Sequence, residues 1–392
     1  MNSLFSLFAL LSSIALVMAA CVTQPTVNLA TPPASVFHSD LSEAVQFIAV
    51  HLPKQVPLRD MVDAKVIPVD LFFNEHSAEE AAASKNLQTN LIAALALANP
   101  DAKFSPLSTQ NIQTAQWVTI ASYASVKANE AGKSGQWLRL KVALIEVKTG
   151  TVKAQVTTHV NADQFNTAPT RFFRNAPIYL TDTSHQDRNA VLAGQRRPLG
   201  DSLRVRAAMT EAAAAFEAER WAEAEQRFQN VLALSPNHTG ALSGLYQILW
   251  ITGRKAEAEK AFVRLSSASV EAGSLSVKLL FKLGSTDFVD EGDLAQQYQI
   301  WLRAMAQTVT EKKVCLNVNG HASASGSDDY NQRLSLARAN RIVSRMQQTV
   351  AMSKGVLMAN GKGITEMLVG TGTNDAVDSI DRRVEFVVTA CQ

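Results

Sequence analysis

The sequence carries almost no net charge. Its 37 lysines and arginines stand against 35 aspartates and glutamates, a balance of +2 that gives no broad electrostatic case for nucleic acid or an anionic membrane surface. Any partner must be held by specific sites. The seven histidines are scattered and form no metal-ligand cluster. The first half of the chain holds neither a glycine-rich phosphate loop nor a nucleophile elbow, and Glu146 has no catalytic partner nearby. His321 and Asp328 could be paired as acid and base, but no nucleophile or metal completes a mechanism. The chain is therefore expected to be non-enzymatic, with no cofactor and no metal.

Its 392 residues suffice for two to four domains, each burying its own core. Residues 1–20, MNSLFSLFALLSSIALVMAA, form an apolar run ending in small side chains, the pattern of an export signal. The adjoining MAAC resembles a bacterial lipobox, which implies acylation of Cys21, and Val22 implies transfer to the outer membrane. Two features depart from that pattern: the leader has no Lys or Arg, and Met18 stands where Leu is usual. The alternatives are a membrane-spanning anchor or an ordinary cleaved signal. Residues 21–39, rich in Thr, Pro, Ala and Ser, read as a lipidated tether whose 18 residues after the cysteine reach roughly 60 Å when extended.

Residues 40–203 alternate helix and strand signals, as expected of an α/β sandwich. Leu41, Val45, Ile48 and Leu52 share one helical face, 65–73 reads as a strand, and Ser77 with Glu80 predicts a capping box opening a helix to Asn99. Alternation over Trp117–Ala124, Leu138–Leu144 and Val152–Thr158 predicts strands, the last two a hairpin about Lys148-Thr149-Gly150. Residues 163–203 are expected to be loops, with a short hairpin closing the domain. The succession ending in IEVKTGTVKA resembles the amino-terminal domains of CsgG-like and FlgO-like envelope lipoproteins, which implies support of envelope assembly without chemistry.

Residues 204–270 are helical and repeat. Ala224, Phe228 and Pro236 fit the tetratricopeptide pattern, and Ala258 with Phe262 recur 34 residues on. About two such repeats bury little alone, so they are expected to dock on a flanking domain or a protein partner. They serve either as a protein-binding groove or as a spacer.

In residues 271–392, Val277, Leu279, Phe281 and Leu283 alternate as a first strand, and Leu294 to Val309 mark an amphipathic helix. Val314, Leu316 and Val318 alternate up to Gly320, a helical stripe runs through Leu334, Ala339, Ile342 and Met346, and Val384, Phe386 and Val388 close the domain. The motifs GHASASG, NQRLSLARA and DRRVE resemble those of the OmpA-like domain, which implies a βαβαββ fold and a pocket for peptidoglycan. The whole is a multidomain α+β protein. The resemblance carries the ligand's carboxylate to Arg338 and places Asn331, Arg382 and Arg383 near it. Ser323 stands where the family has the carboxylate that balances the ligand's ammonium, so glycan binding is expected to be weakened or altered. Asp328 and Asp329, in the loop, are the candidates to replace it. Alternatively, the three arginines merely brace the domain through buried hydrogen bonds and Asp381. Cys315 and Cys391 form a disulfide in an oxidising periplasm or remain two buried thiols. The leading reading is an outer-membrane lipoprotein, facing the periplasm and linking the envelope to peptidoglycan. The alternative is an assembly factor for a secretion, flagellar or surface-fibre machine whose OmpA-like domain binds protein.

Overall fold

The computed structural model describes residues 36–126, 135–179, 183–289, 292–352, 355–367 and 381–391. Cys21, the leader and most of the tether lie outside them. Among the described residues no helix is long and apolar enough to cross a membrane.

The first domain is built on a seven-stranded sheet. Strands β5 (Trp117–Val126), β6 (Trp137–Glu146) and β7 (Thr151–Asn161) form an antiparallel meander. On the β5 side lie β2 (Ile67–Val69) with β4 (Phe104–Pro106) beyond it, and β3 (Phe73–Asn74), all parallel; β1 (Phe37–His38) adds to β7. Alternation drives the pairing: Leu138, Leu140, Val142 and Leu144 on β6 and Val152, Ala154, Val156 and Val160 on β7 are all buried. Helices α1 (Leu41–His51) and α3 (Ser84–Ala98) cover one face, while α2 is the short helix Leu58–Asp63. Val191, Leu192, Leu199, Leu203 and Ala207 cover the other.

Three local expectations are corrected. Residues 65–73 break at Asp70, whose buried carboxylate is committed to ion pairs rather than to a continuous strand. Ser77 and Glu80 form no capping box: Ser77 donates to Glu79, Glu80 pairs with Arg206, and the helix starts at Ser84. Residues 163–203 hold helices α4 (Arg171–Asn175) and α5 (Thr183–Leu192), and α6 (Gly200–Glu217) begins before the segment ends. Their buried Phe172, Phe173, Val191 and Leu192 have partners on both flanking units, which a polar composition conceals.

Helices α6, α7 (Trp221–Leu234), α8 (Thr239–Ile251) and α9 (Lys255–Glu271) stack as two hairpins. Phe228 lies so close to Gly244 that a Cβ there would sit 2.4 Å from its ring, so the helices meet only because this residue has no side chain. Both ends are covered. Phe172 stacks on Phe228 at 5.5 Å, and Phe262 stacks at 5.7 Å on Trp301 of α10 (Leu294–Lys312). Trp301 donates to the Tyr246 hydroxyl at 2.7 Å, which donates to Gln297 at 2.8 Å.

The last domain runs β8 (Ser274–Leu275), α10, β9 (Cys315–Gly320), α11 (Asp328–Thr349), β10 (Leu357–Gly361) and β11 (Val384–Thr389), in sheet order β10-β9-β11-β8. Strand β10 is parallel to β9, and β11 runs antiparallel to both β9 and β8. The run Val277–Leu283 is not the predicted regular strand: β8 ends at Leu275, and the chain beyond it makes only isolated bridges at Val277 and Phe281 while Leu283 turns out to solvent. Lys278 explains the departure, since its ammonium reaches back to Glu79 at 2.7 Å and the Phe173 carbonyl at 2.6 Å. Cys315 and Cys391 are joined by a disulfide across 76 residues.

A buried ionic network ties the first domain to α6. Asp70, fully buried, receives Arg188 at 3.0 Å and Arg206 at 3.1 Å, and Arg206 also reaches Glu80 at 2.5 Å. Removing one member leaves uncompensated charge in the interior. Arg206→Ala should lower unfolding free energy by about 3–5 kcal/mol in denaturant titration, against under about 1 kcal/mol for the exposed Arg204→Ala.

Candidate functional site

The geometry around Arg338 starts from how closely α11 approaches β9. A Cβ on Gly320 would lie 2.0 Å from the Ser335 carbonyl oxygen, and one on Gly361 would lie 2.7 Å from that of Gln332. Only glycine lets the helix sit directly on the sheet there. Ser335 fastens the contact by accepting from the Gly363 N–H at 2.9 Å. Ser327 caps the helix by accepting from the Tyr330 N–H, and Asp328 and Asp329 follow in its first turn, where they favour the helix dipole.

Arg338 then projects into the interior and is 1 % exposed. Its Nε donates to the Ser285 carbonyl at 3.1 Å, Nη1 to His321 at 3.5 Å and Nη2 to Lys282 at 3.4 Å, with the Phe281 ring 5.1 Å away. Three of its five N–H donors are thus used. No carboxylate among the described residues forms an ion pair with it. Burial and the neighbouring Arg382 charge lower its pKa to about 10, which still leaves a cation at neutral pH.

A cavity of about 250 Å³ opens beside this guanidinium, lined by Leu283, Ser323, Ser325, Asn331 and Arg382 as well as Arg338. Asn331 is 1 % exposed and its Nδ2 has no hydrogen-bond partner; Nη1 of Arg382 is buried and equally unpartnered. Ser323 and Ser325 hydroxyls stand 3.5 Å apart. The fold therefore gathers Ser323, Asn331, Arg338 and Arg382 around one space.

Arg383 is placed elsewhere. Just ahead of β11, it donates to Glu385 at 2.7 Å and to the Glu366 carbonyl at 3.0 Å. Asp328 and Asp329 also fail to reach the cavity: they lie on exposed helix, not loop, and Asp329 pairs with Arg333. Asp328 is no partner of His321, which faces Glu385 at 3.5 Å and Glu366 at 3.9 Å. One ligand atom from each of these three residues falls within 4.8 Å of the others, a grouping invisible in sequence because they come from three separate segments. Lys362 on Glu366 at 2.8 Å and Arg383 on Glu385 already balance both carboxylates, so the cluster is an ionic brace.

Residues 288–380 match the OmpA family, and residues 215–272 match a tetratricopeptide repeat. The carboxyl-terminal region carries an OmpA family domain. No curated protein matches the chain. Among solved structures it is similar to the peptidoglycan-associated lipoprotein of Burkholderia pseudomallei, at 21 % identity over 28 % of this chain and 88 % of that one, TM-score 0.25. It is also similar to the cell wall anchor of the T6SS of Pseudomonas aeruginosa, at 26 % identity over 30 % and 80 %, TM-score 0.25. The periplasmic domain of Helicobacter pylori MotB matches at 17 % identity over 30 % and 75 %, TM-score 0.25.

The brace below the OmpA-like pocket has a definite pH signature. Burial works to raise the Glu385 pKa, but His321 and Arg383 outweigh it and hold the carboxyl at about 2, below its ordinary 4.5. Its contribution is complete above pH 4.5 and is lost as pH falls through about 2. Glu385→Gln should be destabilised by about 1–3 kcal/mol at neutral pH. In urea titrations the gap to the wild type should close progressively between pH 4.5 and 2.

Proposed function

We propose that this chain is a non-enzymatic outer-membrane lipoprotein that links the envelope to peptidoglycan through its OmpA-like domain. The observation that carries the reading is the cavity at Arg338, where a buried cation, an unpartnered Asn331 amide and an unpartnered Arg382 nitrogen converge. Buried donors left unmade cost free energy, which a bound anion recovers. The names of the Burkholderia lipoprotein and the Pseudomonas cell wall anchor agree with this reading without bearing on its residues.

Cys21 supplies the membrane end of the link. With acyl chains there and the glycan-binding pocket in the last domain, the helical repeats lie between the two and offer a face to a protein partner. Purified Cys21→Ser protein should lose the acyl mass, and the variant should leave the outer-membrane fraction. Identical fractionation, with no acyl mass on the wild type, would contradict lipidation.

Binding is expected to be weak, because Ser323 supplies no anion for the ligand's ammonium. A charged hydrogen bond contributes about 1.5–3 kcal/mol, so its absence lowers affinity by roughly one to two orders of magnitude. Arg338→Ala should abolish co-sedimentation with diaminopimelate-type peptidoglycan, while Ser323→Asp should strengthen it, with circular dichroism confirming the fold of each. If neither changes sedimentation, the pocket is not a glycan site and the protein-binding reading of the domain replaces it.

A further inference from the structure

The unsatisfied side-chain nitrogens that line the Arg338 cavity are all donors. Asn331 Nδ2 and Arg382 Nη1 have no partner, and two N–H groups of Arg338 remain beyond its three carbonyl bonds. Ser323 and Ser325 contribute hydroxyls, which adapt to either role.

No acid among the described residues lines this space. Asp329 is engaged by Arg333 on the outer face of α11, and Glu366 and Glu385 are engaged by Lys362 and Arg383 around His321. Among the described residues, two guanidinium groups thus face one small cavity that no carboxylate lines. Such a site attracts an anion and repels an ammonium.

We propose that the pocket recognises the carboxylate of its ligand alone. Resting on the peptidoglycan reading above, it accepts a diaminopimelate whose distal amino group is acylated, as in a cross-link, at least as readily as one whose amine is free. Acylation removes the positive charge that Arg338 and Arg382 oppose, and it leaves the carboxylate unchanged. The added acyl chain has an exit, because Leu283 and Tyr330 at the cavity wall are 67 % and 42 % exposed. Cross-linked and uncross-linked stems are therefore both ligands.

Calorimetric titration of the purified protein with three synthetic stem tetrapeptides tests this: one with the distal diaminopimelate centre free, one acetylated on its amine and one amidated on its carboxylate. The acetylated peptide should bind as tightly as the free one or tighter, and the amidated peptide weaker by roughly tenfold or more. In Ser323→Asp protein the new carboxylate should reverse the order, so that the free amine is preferred by roughly tenfold. Acetylation that weakens wild-type binding roughly tenfold while the free peptide binds would overturn the proposal and leave the peptidoglycan reading intact. Failure of all three peptides to bind overturns both. A Ser323→Asp protein that binds the free and acetylated peptides equally also overturns the proposal, since Ser323 would then not face the amine.

Discussion

The last domain is arranged around the burial of one cation. Moving a guanidinium out of water costs several kcal/mol, and the carbonyls of Lys282, Ser285 and His321 offset that only in part, through bonds of 3.1–3.5 Å. What holds Arg338 in place is the close seating of its helix: Gly320 and Gly361 remove the side chains that would lift α11 from the sheet. The loop at 282–285 is in turn drawn over the helix by the same guanidinium and by Tyr330, whose hydroxyl donates to Gly284 at 3.4 Å. A carboxylate from the protein would have completed the site. No carboxylate among the described residues does so.

The other two units bear on how that pocket is carried. Asp70, Arg188, Arg206 and Glu80 join the first sheet to the helical repeats, and Lys278 joins it to the chain entering the last domain. The repeats, too few to cover their own ends, borrow Phe172 on one side and Trp301 on the other. Such buried charge pairs are poor sources of net stability but strict about geometry, because a displaced partner leaves a charge unpaired.

Much of the fold was legible because it follows periodicity. The meander and the repeat helices rest on alternation at two residues or recurrence near 3.6, which burial enforces, whereas the β-α-β-α-β-β order of the last domain was implied by the resemblance of its motifs to the OmpA-like domain. The misreadings have a common cause in long-range polar partners. Ser77 and Glu80 have the spacing of a capping box, but Arg206, 126 residues away, claims Glu80. Val277 to Leu283 alternates like a strand, yet Lys278 is pulled toward Glu79, 199 residues away. At the site, Arg338 and Asn331 were legible from helical phase and motif. Arg383 was misplaced because its partners, Glu385 and the Glu366 carbonyl, draw it away from the cavity, and the brace of His321, Glu366 and Glu385 could not be seen since no local spacing links its members.

The central claim is that Arg338 and Arg382 jointly receive a ligand anion. Side-chain nitrogen NMR of arginine-labelled protein, titrated with a diaminopimelate-containing muropeptide, tests it most directly. The Nε–H signals of Arg338 and Arg382 should shift together and saturate at one ligand per chain, while Arg383, committed to Glu385, stays in place. Unmoved Arg338 and Arg382 signals at saturating muropeptide, or a response confined to Arg383, would contradict the account.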